Sequence, residues 1–197
     1  MRIPYITNPP PTPTEEEAAI LARVKARRAP RDLFTLDLAL FHSPPLIDGW
    51  GSFLGAVRTQ TTLPPDLREI AISRAVLFAG AWIEFDAHRR ILAASPDFQS
   101  DAKAKMEVVE RRGQEGGRGA LSELQWAVLR YADAVTRDIT VEDEVFEGLK
   151  TAGLNDRQVL EVTTTVAAYN CVSRVFVALD VGERNGTGPG PLELPTS

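Results

Sequence analysis

Apolar side chains recur at three- and four-residue intervals along most of the chain, and no stretch alternates apolar and polar side chains as a strand does. This periodicity predicts an all-α protein of eight or nine helices. Proline or glycine separates most of the segments, as is usual where helices begin and end. We expect one helical domain at residues 14–184, preceded by an extended lead-in at 1–13 and followed by a disordered, glycine- and proline-rich tail at 185–197.

Capping residues mark where several of these helices begin. Three pairs have the spacing of a capping box, in which each residue hydrogen-bonds the backbone of the other: Thr14 with Glu17, Ser122 with Gln125, and Asn155 with Gln158. Thr140 is a fourth predicted cap, and Gly80 marks a break between two helices. The predicted helices cover residues 15–28, 33–41, 46–61, 67–78, 81–94, 100–112, 123–136, 141–152 and 156–183.

Length and charge narrow the classes of function. The chain has 197 residues, 44% of them hydrophobic, which is enough to bury the core of one domain without disulfides or metals. Its formal net charge of −5 argues against binding nucleic acid or an anionic membrane, because both require a basic surface. The first five residues lack the apolar stretch of a signal peptide, so we expect a cytoplasmic protein.

The chain is poor in metal-binding and redox side chains. Cys171 is its single cysteine, so no disulfide can form within the chain, and the two histidines add too few ligands for an ordinary structural zinc site. We therefore expect no metal and no cofactor. Cys171 itself is predicted to be a small, buried apolar residue of the last helix.

Two adjacent predicted helices carry the residues best suited to acid–base chemistry. Glu84 and His88 are four residues apart, so their side chains lie on one face of a helix, one turn from each other. Apolar neighbours such as Trp82 would keep this face partly dry. Glu69 lies on the preceding helix, which Gly80 allows to fold back beside this one. The sequence therefore predicts that Glu69, Glu84 and His88 form a proton-transfer site.

The spacing of Glu84 and His88 also has a structural interpretation. Such pairs are common on helix surfaces, where they add only a few tenths of a kcal/mol to stability. Spacing by itself leaves open whether the pair is catalytic or structural. Arg68 and Arg74 have a similar alternative, and salt bridges between packed helices are the better interpretation of both.

The order and spacing of several short motifs resemble the carboxymuconolactone decarboxylase family, part of the alkylhydroperoxidase D-like superfamily. The motifs are His-Ser-Pro at residues 42–44, Leu-Pro at 63–64, Arg-Glu-Ile at 68–70 and Glu-x-x-x-His at 84–88. The segment from Tyr169 to Arg174 is similar to the family's last-helix motif. The resemblance extends over residues 36–181, most of the chain, and implies an alkylhydroperoxidase D-like helical bundle.

The superfamily divides by chemistry at the residues before the histidine. Its peroxidase branch carries Cys-x-x-Cys there, whereas this chain has Ala81 and Glu84 at the two cysteine positions. Without two thiols, no sulfur can attack a peroxide and then form the resolving disulfide, so we expect no thiol peroxidase. Glu84 resembles the decarboxylase branch. Ile83 departs from the tyrosine that relatives often have before this glutamate, which leaves the identity of the substrate open.

The resemblance implies a cofactor-free lyase that decarboxylates a carboxylated lactone or a related ketone or enol. Carbon dioxide would leave, and a proton would be delivered to the resulting carbanion or dienolate. We expect His88 to donate or shuttle this proton, Glu84 to orient His88, and Glu69 to be a second acid–base group. An isomerase or dehydratase that moves a proton beside a carbonyl would use the same residues. An inactive oligomeric binding module of the same fold is a further alternative.

Four more residues are predicted to contact the substrate: Arg174, Asn170, Trp82 and Tyr169. Arg174 suits a carboxylate because a guanidinium can donate two parallel hydrogen bonds to it. A cross-link between helices is an equally good interpretation of Asn170. The expected partner is a small carboxylate or lactone. The apolar last helix favours burial against another subunit, and the resemblance implies homo-oligomers from dimers to hexamers, of which we expect a dimer or trimer.

Overall fold

Ten helices and no strand occur in the part of the chain that the computed structural model describes, residues 1–113 and 115–193. The predicted all-α class is confirmed. In chain order the helices are α1 (Glu15–Arg28), α2 (Thr35–Leu40), α3 (Pro44–Thr59), α4 (Pro65–Ala79), α5 (Trp82–Ala93), α6 (Pro96–Gln99), α7 (Ala102–Glu110), α8 (Glu123–Arg137), α9 (Asp143–Thr151) and α10 (Asp156–Leu179).

The three predicted capping boxes are all formed, at the first residues of α1, α8 and α10. In each box the side chain of the capping residue accepts a hydrogen bond from the backbone N–H three residues on, which satisfies one of the free amides of the first turn. The prediction for Thr140 is wrong. Helix α9 begins at Asp143, and Glu142 is the residue at its cap, because residues 138–140 still belong to the turn that ends α8.

Two other helix boundaries differ from the prediction because a single residue adopts a left-handed backbone conformation. Asp101, at φ 58°, separates α7 from the extra one-turn helix α6. Asp180, at φ 52°, ends α10 at Leu179, four residues before the predicted end at Glu183. Aspartate tolerates this conformation better than most residues, and the hydrophobic periodicity gives no sign of it.

Helix α4 lies in the centre of the bundle, and α5, α8 and α10 pack around it. Eleven of its fifteen residues are buried. Those with no exposed surface include apolar side chains on all sides of the helix: Ile70, Ala71, Ile72, Ala75 and Val76. A helix that is apolar around its whole circumference is stable only when it is surrounded by protein. The position of α4 therefore follows from its own sequence.

Gly80 produces the turn that lets α5 pack against α4. Its backbone is left-handed, with φ 72°, and its N–H donates to the carbonyls of Val76 and Leu77 at the end of α4. Glycine adopts this conformation without steric cost, which is why it often follows the last residue of a helix. The break predicted at this position is thus a helix cap that reverses the chain.

Helix α10 is the one helix of the described residues that is long and apolar enough to cross a membrane, judged by length and composition. It packs against α4, α8 and α3 in the bundle, and its buried side chains belong to the main core. One such helix is weak evidence of a membrane span, since core helices of soluble proteins often have this composition. We interpret α10 as a core helix.

A second, smaller core joins α1 to α2 and α3. Its buried members come from these helices and the turns between them: Ile20, Val24, Leu33, Phe41 and Ile47. The residues of α1 precede the region that resembles the decarboxylase family. Helix α1 contacts the bundle mainly through α3 and is held there by this small core.

The two ends of the described chain run along the helices. In the extended lead-in, the N–H of Arg2 donates to the carbonyl of Leu179 at 2.7 Å. The tail from residue 185 has no helix, but its course is fixed as far as Gly190, whose N–H donates to the carboxylate of Asp86 on α5 at 2.9 Å. Arg89 also donates to the Gly190 carbonyl. The remainder of the predicted disordered tail, residues 194–197, lies outside the described residues.

Several large apolar side chains are exposed to solvent, among them Leu46 and Phe53 on α3 and Leu160 on α10. Exposed apolar groups of this size on two helices are compatible with contact between subunits. The homo-oligomer of two or three chains stays a prediction.

A buried ion pair joins α4 to α8. Arg74 has no exposed surface, and its Nε and Nη2 donate to the two carboxylate oxygens of Asp133 at 2.7 and 2.8 Å. Its Nη1 donates to the carbonyls of Val109, in the last turn of α7, and Arg111, which follows this helix, each at 2.5 Å. The predicted packing role of Arg74 is thus the one that the structure shows.

Replacing Arg74 with methionine should lower the free energy of unfolding by about 3–5 kcal/mol, because a buried carboxylate then loses its guanidinium counter-charge. Urea denaturation measures this. The double variant Arg74→Met/Asp133→Leu should be clearly more stable than the single variant, since no charge is left behind. Arg157→Met, which breaks an exposed pair with Glu161, is the control and should cost less than about 1 kcal/mol. Equal losses for Arg74 and Arg157 would contradict the central role of the buried pair.

Replacing Gly80 with alanine should cost about 1–2 kcal/mol, because an L residue is strained in the left-handed region. A side chain at this position would meet nothing closer than Trp82 at 3.8 Å, so the cost comes from the backbone alone. Gly49, which lies inside α3 with open space around it, is the control, and Gly49→Ala should instead stabilise by about 0.5–1 kcal/mol. Thermal or urea unfolding of both variants checks the opposite signs.

Candidate active site

His88 on α5 and Glu69 on α4 form a short hydrogen bond in the interior. His88 Nδ1 lies 2.6 Å from Glu69 Oε2, and each residue is only 3% exposed. A carboxylate and an imidazole at this distance stabilise each other most when the imidazole is protonated, because the bond is then assisted by charge. The Gly80 turn places these two side chains, nineteen residues apart, against each other.

Glu84 approaches the other nitrogen of the same ring. Its Oε2 lies 3.5 Å from His88 Nε2, a distance that gives electrostatic attraction but no strong hydrogen bond. The Glu84 side chain is 19% exposed, against 4% for Glu69. The imidazole therefore has one deeply buried carboxylate on Nδ1 and a more accessible one near Nε2. The predicted meeting of these three side chains is what the structure shows.

Tyr169 on α10 covers one side of the imidazole. The two rings meet edge to face, with centroids 4.8 Å apart and planes at 84°. Burial is the main cause that raises the pKa of Tyr169 above the ordinary value, so its phenol stays neutral beside the two glutamates. Val172 and Phe176 follow Tyr169 at helical spacing, and all three line the same cavity.

The cavity in front of these residues is partly open and has a volume of about 1270 Å³. Residues of α1, α2, α3, α4, α5 and α10 form its walls, and Glu69, Glu84 and His88 are among them. Pockets that bind small molecules commonly combine apolar walls with a few convergent polar groups, and this one does so. A second cavity of about 390 Å³, beside Asp66 and Lys105, contains none of the three.

Opposing effects act on the pKa of His88. Burial lowers it, but the hydrogen bonds and negative charges of Glu69 and Glu84 outweigh burial and raise it above the ordinary 6.5. The two glutamates thus favour the protonated form of the ring. A protonated imidazole next to a cavity is a general acid.

Two arginines lie near the imidazole and were not expected in the site. Arg68 Nε is 3.4 Å from Glu69 Oε1, and Arg58 from α3 lines the same cavity. The charges of both act on Tyr169. Within the described residues, the Arg58 side chain has no ion-pair partner. Trp50, Leu54 and Arg58 are spaced four residues apart, so the end of an apolar stripe of α3 is the signal that could have indicated Arg58.

Comparison with solved structures gives six clear matches, among them the following two proteins. An uncharacterized peroxidase-related protein from Ralstonia eutropha JMP134, with an alkylhydroperoxidase AhpD core, has a TM-score of 0.68 at 18% identity, over 89% of this chain and 87% of that one. A protein of unknown function from Agrobacterium tumefaciens, suggested to be the antioxidant defence protein AhpD, has a TM-score of 0.56 at 19% identity, over 79% and 97%.

These matches decide the architecture. The chain has the AhpD-like fold. No family model matches the sequence, and no curated protein matches it either. At such low identity the AhpD-like neighbours show the fold alone, so the decarboxylase branch suggested by the motifs stays a prediction.

Three of the four predicted substrate-binding residues of this AhpD-like bundle do not line the cavity; Tyr169 does. Trp82 lies on another side of α5 from Glu84 and His88 and packs edge to face on Phe85, 6.2 Å away. Asn170 directly follows Tyr169 on α10, so its side chain points to another side of the helix. Its Nδ2 donates to Thr136 on α8 at 3.0 Å. Its cross-linking interpretation is therefore the right one.

Arg174 is exposed and turns back on its own helix, where its Nη1 donates to Asn170 Oδ1 at 2.7 Å. Its direction away from the cavity does not support the predicted contact with the substrate carboxylate. The face of α10 towards the cavity carries residues 169, 172 and 176, so a residue five positions after Tyr169 points elsewhere.

Cys171 is exposed, so the prediction of a buried residue is wrong. It also does not line the cavity that contains His88. Among the residues that the structure describes, no group of three His, Cys, Asp or Glu side chains is arranged to hold a metal ion.

Titration by NMR should show a pKa of His88 above 6.5. The variant Glu69→Gln should lower this pKa because it removes the negative carboxylate beside Nδ1. Protonation therefore stabilises the fold: the contribution is complete below the pKa of the unfolded chain and is lost as pH rises through the higher pKa of the folded protein. The chain has two histidines, so the spectrum contains two sets of imidazole signals. The variant His42→Gln removes those of the exposed His42 and thereby assigns those of His88. A His88 pKa below 6.5 that Glu69→Gln does not change would contradict this electrostatic arrangement.

Proposed function

We propose that this protein is a small-molecule lyase that decarboxylates a carboxylated lactone or a related ketone or enol, with Glu69, Glu84 and His88 as its acid–base groups. The observation that supports this most is the buried bond between Glu69 and His88 at the wall of the cavity. An imidazole whose protonated form is favoured by two carboxylates, beside a volume that can hold a small molecule, suits proton delivery to carbon.

The geometry favours roles for the glutamates that are exchanged relative to those expected from the sequence. Glu69 is the more buried and bonds Nδ1, so it orients His88 and keeps it protonated. Nε2 is the nitrogen beside the accessible Glu84, and it donates the proton to the substrate carbon. Loss of carbon dioxide leaves the electron pair of the broken bond in a dienolate, and the proton from Nε2 then forms the new C–H bond. Glu84 assists the return of a proton from water to His88.

Arg58 and Arg68 replace Arg174 as the proposed anion-binding residues. Both are at the cavity near Tyr169, and Arg58 has no ion-pair partner within the described chain. A guanidinium can bind a carboxylate through two parallel hydrogen bonds and can stabilise the negative oxygen of a dienolate. Apolar walls around them, such as Val172 and Phe176, limit water near the reacting carbon.

Isomerisation by proton transfer beside a carbonyl is the second candidate, and the position of Glu84 favours it. Its carboxylate is partly exposed to the cavity and is 3.5 Å from His88 Nε2, so it can remove a proton from carbon while His88 returns one. This reaction uses the same groups but releases no carbon dioxide. Measuring carbon dioxide release together with the exchange of substrate protons with solvent separates the two reactions.

A peroxidase function agrees with the descriptions of the two structural neighbours, which the fold alone does not exclude. A mechanism with two thiols requires a cysteine pair, and this chain has one cysteine, exposed on α10 away from the cavity lining. Glu84, which occupies the second cysteine position of the peroxidase branch, places a carboxylate 3.5 Å from His88 Nε2. These residues favour proton chemistry over peroxide reduction.

Carbon dioxide release from a panel of carboxylated lactones and β-keto acids, with deuterium incorporation from solvent, tests the proposal. His88→Gln keeps a donor for Glu69 but cannot transfer a proton, so kcat should fall by about 10²–10⁴. Glu69 also loses its counter-charge, so the thermal midpoint should fall, and turnover is measured at a temperature where circular dichroism shows the variant folded. Glu84→Gln should lower kcat less. Arg58→Gln should raise KM by about tenfold, the equivalent of one charge-assisted hydrogen bond.

Arg174→Gln is the matched control for Arg58→Gln, since it removes the same charge from an exposed site outside the cavity and should leave both kcat and KM unchanged. Retention of full activity in folded His88→Gln would refute the acid–base role. Absence of both carbon dioxide release and solvent exchange across the whole panel would favour the inactive binding module.

A further inference from the structure

The cavity extends well beyond the His88 site, along helix α3. The α3 residues in its wall run from Ile47 to Thr59, a length of about 18 Å at the rise of an α-helix. A single lactone ring beside His88 would occupy only a small part of a volume of about 1270 Å³. The remaining space leads towards the end of α1.

The charges in the cavity wall are opposite in sign to the charge of the whole chain. Five arginines and three carboxylates line it, although the protein has a net charge of −5. The five arginines are Arg27, Arg28, Arg31, Arg58 and Arg68. Clusters of one sign in a cleft attract ligands of the other sign. The cavity is therefore suited to an anion.

Three of these arginines form a group at the end of α1, which we call the distal arginine cluster: Arg27, Arg28 and Arg31. Arg28 is neutralised, since it donates two hydrogen bonds to Asp37 at 2.7 and 2.8 Å. Arg27 is 3.8 Å from Asp48, but Arg23 already binds both oxygens of that carboxylate. The Arg31 side chain has no ion-pair partner in the described residues. The cluster thus has more positive charge than its carboxylates balance.

Gly51 of α3 makes room for one of these guanidinium groups. A Cβ at this position would lie 2.3 Å from Nη2 and 2.5 Å from Cζ of Arg27. The guanidinium of Arg27 therefore rests directly on the backbone of α3. Arg58 lies seven residues further along the same helix, so the two arginine positions are about 10 Å apart along its axis.

The distal arginine cluster precedes the region that resembles the decarboxylase family, and α1 is attached through its own small core with α2 and α3. The motifs of that family therefore say nothing about this part of the cavity. It adds positive charge to the cavity wall at a distance from the acid–base residues.

We propose that the substrate is elongated and doubly anionic. One end, with the reacting carbonyl and a carboxylate, would lie at Arg58, Arg68 and His88, and a second oxyanion would bind the distal arginine cluster about 10 Å away along α3. This inference rests on the proposed function for the identity of the reacting end. The second oxyanion is a carboxylate or a phosphate. Each presents two oxygens to which a guanidinium can donate parallel hydrogen bonds.

Binding of unreactive dianions tests this without any turnover. Calorimetric titrations would compare α,ω-dicarboxylates of increasing chain length with monocarboxylates of equal length, and with ω-phosphono carboxylates to separate the two oxyanions. Affinity for the dianions should reach a maximum at one chain length, where it exceeds that of the matched monocarboxylate by at least about tenfold, the worth of one charge-assisted contact. A stronger phosphono series would assign a phosphate.

The variants locate the second anion. Arg27→Gln/Arg31→Gln should abolish the preference for dianions but leave monocarboxylate affinity unchanged. Gly51→Ala keeps every charge and should weaken only the dianions, because its methyl group displaces the flexible guanidinium of Arg27. Arg90→Gln/Arg174→Gln is the charge-matched control, at two exposed arginines outside the cavity wall, and should change neither series by more than about twofold.

Equal or undetectable binding of the two series, or equal losses in Arg90→Gln/Arg174→Gln and in Arg27→Gln/Arg31→Gln, would overturn the inference. A different result would refute the proposed lyase activity, namely the absence of both proton exchange and carbon dioxide release with every substrate of the panel. Because the dianions can also be titrated against His88→Gln, the preference for a second anion is measured even where catalysis is absent.

Discussion

The structure depends on the need to neutralise charges on a helix that is buried on every side. Helix α4 carries Glu69 and Arg74 among apolar residues in the centre of the bundle, and an unpaired charge in such a place is strongly destabilising. Each therefore binds a partner from a neighbouring helix: His88 of α5 for Glu69, and Asp133 of α8 for Arg74. These two pairs fix how α5 and α8 lie against α4.

The pairing of Glu69 has a chemical consequence that the pairing of Arg74 lacks. Arginine stays charged, so its bond with Asp133 only holds helices together. Histidine titrates near neutral pH, and the two glutamates beside His88 raise its pKa although burial lowers it. A contact that stabilises the bundle thus also stores a proton at the cavity wall. The AhpD-like bundle of this chain thus places a titratable histidine, flanked by two carboxylates, at a cavity wall.

Around this centre, the cavity combines parts with different origins. The acid–base residues come from α4 and α5, which lie within the region that resembles the decarboxylase family. Arg27 and Arg28 come from α1, which packs on the bundle through its own small core. The acid–base residues and the distal arginine cluster thus lie on separate elements of one cavity wall.

The sequence by itself determined the helices, three of their caps, and the meeting of Glu69, Glu84 and His88. These depend on local periodicity and on one glycine that must turn the chain. Only the tertiary structure decided which face of α10 meets the cavity, and hence that Tyr169 lines it while Asn170 and Arg174 do not. The tertiary structure also placed Arg58 and Arg27 in the wall of the cavity. The rotation of a helix about its axis follows from packing against distant segments, which no short stretch of sequence encodes.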